Sequence, residues 1–104
     1  NDKHYTKKDV MTSHPRIVYW VTIPQGTKKT DKTGTTYSNM MITKTMKKAI
    51  KISDKYHGMI IERMIQCRLG RWCIKRWYHK EVKNMDYHTA CDYWENKYRE
   101  IVLG

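Results

Sequence analysis

Residues 59–82 read MIIERMIQCRLGRWCIKRWYHKEV, and the fold depends on whether they make a hairpin or a helix. Gly70-Arg71 can form a two-residue turn with glycine first, the type II′ signature. That register pairs Leu69 with Trp72, Cys67 with Ile74, Ile65 with Arg76 and Arg63 with Tyr78. Met59, Ile61 and Val82 join that face. The opposite face pairs Arg68 with Cys73, Gln66 with Lys75, Met64 with Trp77 and Glu62 with His79. One face is mainly apolar and the other mainly polar, as a half-buried antiparallel sheet requires. A helix over 60–78 is the rival, with an apolar stripe at 60, 64, 67, 74 and 78 broken by Arg71. Trp and Tyr favour strands, and Gly70 inside a helix costs roughly 1 kcal/mol, so the hairpin is the better reading.

Upstream, residues 16–23 (RIVYWVTI) are β-branched and aromatic on both faces, which predicts a strand able to sit centrally in a sheet. Pro24 stops it. Residues 25–36 (QGTKKTDKTGTT) contain no apolar side chain and read as a long basic loop, or as a hairpin tip returning through 35–43. Residues 38–57 fit a helix, with Ser38 as N-cap and Gly58 as a left-handed C-cap. Ile42, Met46, Ala49, Ile50 and Ser53 share one face of it, and Thr43 and Thr45 shift its start towards residue 44. Residues 86–102 give the best helix: Tyr87, Cys91, Trp94, Tyr98 and Ile101 repeat at four-three spacing, capped by Asn84 or Asp86. Residues 1–15 read as a flexible basic arm with room for one helical turn, ahead of a single domain over 16–104.

The expected architecture is α+β: a small single-layer sheet with two helices packed on one face, in the order β-α-β-β-α. That order resembles a split β-α-β arrangement without a clear last strand.

Composition narrows the function. The chain has 104 residues and a formal net charge of +11. One domain of this size excludes a multidomain enzyme. No apolar run approaches the roughly 18 residues of a membrane span. Phe is absent while Tyr numbers eight and Trp four, so every six-membered aromatic side chain carries a polar handle suited to half-wet surfaces. Three cysteines cannot pair completely, which favours a reduced, intracellular protein. Residues 1–58 hold 12 basic against 4 acidic side chains, whereas residues 59–104 hold 9 against 6. Most acids of the second part lie in the last helix, so the molecule is expected to have a basic and an acidic side.

These features predict a nucleic-acid-binding domain, with RNA or single strands favoured because rings are available for stacking. The expected contacts are Lys28, Lys29 and Lys32 of the loop, Lys47, Lys48 and Lys51 of the first helix, and Arg71, Lys75, Arg76, Trp77 and Lys80 of the hairpin. On the expected register Lys75, Trp77 and His79 share the exposed face. The alternative is an interaction module for an acidic protein or an anionic membrane surface. Glu62 opposite His79 is the one acid–base pair, with a layout suited to metal-independent RNA cleavage, although a cross-strand salt bridge is the commoner reason for such a pair. Cys67, Cys73, His88 and Cys91 can be written as a zinc set, but buried thiols explain them more simply. No metal or cofactor is expected. No phosphate-binding glycine loop, nucleophile elbow or HExxH helix is present.

Overall fold

The structure is a computed structural model and describes residues 4–24 and 40–98. Its elements are α1 (Lys7–Met11), β1 (Arg16–Thr22), β2 (Met40–Thr43), α2 (Met46–Tyr56), β3 (Ile60–Cys67), β4 (Gly70–Tyr78) and α3 (Tyr87–Lys97). The fold is α+β, with one antiparallel four-stranded sheet in the order β2-β1-β3-β4. The strand and long-helix order is β-β-α-β-β-α, so the expected β-α-β-β-α order lacked one strand.

That strand is β2. Residues 40–43 read both as the start of the helix and as the return of a hairpin through 35–43, and the second reading holds for them: they pair antiparallel with β1, Trp20 facing Ile42 and Thr22 facing Met40. Ile42 sits at helical spacing from Met46, which made the stripe look continuous. Threonine and isoleucine lose rotamer freedom in a helix and pack better on a pleated edge. The helix begins where Thr45 accepts a hydrogen bond from the Lys48 backbone N–H at 3.2 Å. Ser38, the expected cap, lies outside the described residues.

β1 is central, as its two-sided apolar sequence predicts. Its register with β3 puts Val21 beside Ile61 and Val18 beside Met64. Strand alternation then builds two cores. Val21, Ile23 and Ile61 pack against Ala49, Met46, Ile52 and Tyr56 of α2. On the other face lie Val18, Trp20 and Met64, and beyond them Ile60 packs with Ala90 and Trp94 of α3. The two long helices therefore lie on opposite faces, not on one. A strand apolar on both sides demands this, because a sheet with helices on one face would expose the other.

The hairpin is present, but its turn is Arg68-Leu69 and not Gly70-Arg71. Cys67 pairs with Gly70, Ile65 with Trp72 and Glu62 with Arg76. Gly70 opens β4 at φ +155°, a conformation side chains resist, so glycine serves the exit of the turn. Moving the turn by two residues shifts each partner by four, which alone preserves the faces. A bulge does not: Arg63 pairs with Lys75 and Met64 with Cys73, leaving Ile74 unopposed. Every side chain from Lys75 onward consequently moves to the face opposite the expected one.

The α2 terminus also differs. His57, not Gly58, is left-handed, at φ 57° and ψ 50°. A Cβ on Gly58 would come within 2.7 Å of Val21 Cγ1, so glycine is needed there for helix–sheet contact. In the segment expected as an arm, Thr6 and Asp9 form a reciprocal cap on α1, and Val10 is fully buried. α3 starts at Asp86, whose carboxylate accepts from Thr89 N–H at 2.9 Å.

Candidate nucleic-acid interface

The cations are mostly unneutralised. Among the described residues, only Arg76 and Lys97 are lysines or arginines in ion pairs with carboxylates, to Glu62 and Glu81 respectively. Several of the acids are spent elsewhere: Asp9 and Asp86 cap helices, and Glu62 is buried beneath Arg76. Near α3, Glu81 accepts hydrogen bonds from Lys97 and from Tyr93, which hold its carboxyl below the usual range. Negative charge thus gathers around α3 and leaves the rest of the surface basic.

The two faces of the sheet divide the expected contact residues. Lys47, Lys48 and Lys51 are exposed on α2. Lys75 and Trp77 lie on the same sheet face as α2, beside Arg63 and Ile61. Trp77 packs against the α2 core, with Lys75 Nζ 5.0 Å from its ring centroid. This ring is half-buried and committed to packing, a consequence of the bulge. Arg71 and Arg76 point to the opposite face, where Arg76 Nε donates to Glu62 at 2.8 Å. That bond raises the Arg76 pKa above its ordinary value. Lys80 is exposed after β4. Lys28, Lys29 and Lys32 lie outside the described residues.

The expected acid–base pair does not assemble. Glu62 faces Arg76, while His79 follows β4, donates its backbone N–H to the Met59 carbonyl and packs its ring, tilted, against Trp94 at 4.7 Å. The register slip and the bulge together separate the two groups. Cys67, Cys73 and Cys91 are free, half-buried thiols, and among the described residues no three metal-ligating side chains converge. Burial is the main cause raising the Cys73 and Cys91 thiols above their ordinary pKa.

The feature that sequence reasoning missed is a furrow around the end of the hairpin. A cavity of about 600 Å³ is bounded by Trp20, Met40 and Ile42 on one side and Gln66, Cys67 and Arg71 on the other. A second, of about 430 Å³, shares Gln66 and Cys67 and adds His14, Arg16 and Arg68. A third, of about 470 Å³, shares His14 and Arg68 and reaches Thr12. None of these lining residues is acidic. The Arg71 guanidinium lies 4.8 Å from the Trp20 ring centroid. Trp20 is only 9% exposed, yet its indole N–H has no hydrogen-bond partner, and neither has the buried Gln66 Oε1. Arg16 opens its strand and Arg68 occupies the turn, so three arginines meet only once β1 pairs with β3 and β3 turns into β4. The available signal was two arginines, Arg68 and Arg71, close together around Gly70.

Comparisons with protein-family models, with curated proteins and with solved structures find no match for the chain. None of the described helices is long and apolar enough to cross a membrane.

Proposed function

We propose that this protein binds nucleic acid, with single-stranded RNA as the preferred form. The observation that carries the reading is the set of exposed lysines and arginines that, among the described residues, have no carboxylate partner, on a chain of net charge +11. An unpaired surface cation gains little from the fold. Against a phosphate backbone it releases condensed counterions, which is the main source of affinity in such complexes. The acids drawn to the α3 side leave a polarised molecule, which orients an approaching polyanion. Single strands are preferred because the cationic furrow adjoins apolar and aromatic side chains that a duplex keeps away from its bases.

The test is fluorescence anisotropy with labelled single-stranded RNA and duplex DNA across a salt series. The reading expects micromolar or tighter binding and a log–log salt slope equivalent to several released counterions. Absence of binding to both polymers near physiological salt overturns it. Binding to anionic vesicles or to one acidic protein instead transfers the basic surface to that partner class.

A further inference from the structure

We infer that the furrow at the end of the β3–β4 hairpin is a nucleotide site, taking an unstacked base at Trp20 and Arg71 and the adjoining phosphates at Arg16 and Arg68. The inference rests on the nucleic-acid reading and deepens it by naming where and how the strand is held.

Three independent features converge there. First, charge: among the described residues, the three adjoining cavities are lined by Arg16, Arg68, Arg71 and His14 without one carboxylate. Elsewhere Glu62 neutralises Arg76 and Glu81 neutralises Lys97. Second, shape and apolarity: the cavity of about 600 Å³ falls within the range of small-ligand sites and is walled by Trp20, Met40 and Ile42. Ile42 remains 55% exposed although it stands opposite Trp20 in the sheet. Third, unmet hydrogen bonding: the buried Trp20 N–H is a donor and Gln66 Oε1 an acceptor, both without partners. A buried polar group left unpaired costs about 1–3 kcal/mol, and both groups belong to residues that line the cavity, so a ligand's polar edge can satisfy them once the covering side chains shift. Every nucleobase offers both donor and acceptor atoms on its pairing edge.

Arg71 is the movable part. Its side chain is exposed and lies over the Trp20 ring with no carboxylate to hold it. Turning onto a phosphate, it opens the ring to a base while keeping a planar cation beside it. Arginine suits this double task, since it both stacks and binds phosphate in a bidentate manner. The hydrogen-bond demand is one donor and one acceptor, which every base can meet, so the site tolerates sequence.

The experiment compares a labelled oligouridylate with an oligomer of the same length and charge bearing abasic positions. Both are measured by anisotropy on the wild-type protein, on Arg68→Ala/Arg71→Ala and on Lys48→Ala/Lys51→Ala. The two variants lose equal charge, all four side chains are exposed, and melting curves check that each folds. The inference expects the wild type to bind the intact oligomer about tenfold more tightly than the abasic one, the scale of stacking one base. It also expects the arginine variant to lose that preference and the lysine variant to keep it. Equal affinity of the wild type for both oligomers overturns the site while leaving phosphate binding intact. A base preference that survives in a folded arginine variant overturns it as well. If that variant does not fold, Trp20→Phe replaces it and must lose part of the base preference. Failure of the wild type to bind either oligomer overturns the nucleic-acid reading itself.

Discussion

Trp94 and Trp20 are both buried on the same side of the sheet, one against α3 and the other reaching towards the hairpin, and among the described residues only Trp94 has its N–H satisfied. At the α3 end, Trp94 donates to the His57 carbonyl and is flanked by His79 and Tyr98, each ring centroid 4.7 Å away. His57 in turn stacks on Tyr98, and Val82 and Ile60 close the cluster from below. Beside the hairpin, Trp20 packs on Val18 and Met64 under the Arg71 guanidinium, next to an open cavity. The first tryptophan is finished as a piece of core. The second has the packing of a core residue and the unmet valence of a binding residue. The difference teaches that burial alone does not separate structure from function; what remains unpaired does.

The largest expected effect breaks the closed end. Trp94→Ala removes a 3%-exposed indole from the α3 cluster and should cost roughly 3–5 kcal/mol in a urea melt. A near-native stability would show that α3 is not held by this ring. A sharper comparison uses the same substitution twice. Trp94→Phe and Trp20→Phe remove the same atoms, but only the first leaves a carbonyl, that of His57, without its donor. Trp94→Phe should therefore be less stable than Trp20→Phe by about 1–3 kcal/mol. Equal losses would erase the distinction between the two ends.

Helix α2 supplies a smaller effect. Thr45→Ala deletes its N-cap bond to Lys48 and should cost about 1 kcal/mol. At the open end, Ile42→Thr keeps β-branching on an exposed edge position and should stay within about 0.5 kcal/mol of wild type. The smallest effect is acidic. The Glu81 carboxyl is held below its ordinary value by hydrogen bonds from Lys97 and Tyr93. Its contribution is complete above its unfolded pKa of about 4.3 and is lost as pH falls through the lower folded value. Glu81→Gln should flatten that part of the acid limb, and an unchanged limb would remove Glu81 from the account.

Local signals made much of this fold legible. β-branched density placed β1, four-three spacing placed α3, and cross-strand contrast favoured the hairpin over the rival helix. The errors came where two patterns overlapped or where tertiary fit decided. Ile42 satisfied a helical period by accident while the strand edge claimed it. Gly70 gave a valid turn motif, yet the chain uses its permissive φ one step later. The bulge at Ile74 has no periodic signature, and it exchanged Trp77 for Arg76 on the face beside Trp20. The expected site therefore scattered over both faces. The furrow depends on Arg16 pairing with Gln66, a contact made 50 residues apart that no local window contains.

The central claim is that the open end of the sheet is the ligand-binding end. It is tested most directly by following the four indole N–H resonances of the ¹⁵N-labelled protein during titration with single-stranded oligouridylate. The account predicts that the Trp20 indole signal shifts as its unpaired N–H gains a partner, while the Trp94 signal, already bonded to His57, stays in place. Shifts confined to backbone amides of Lys47, Lys48 and Lys51, with the Trp20 indole unmoved at saturation, would contradict it.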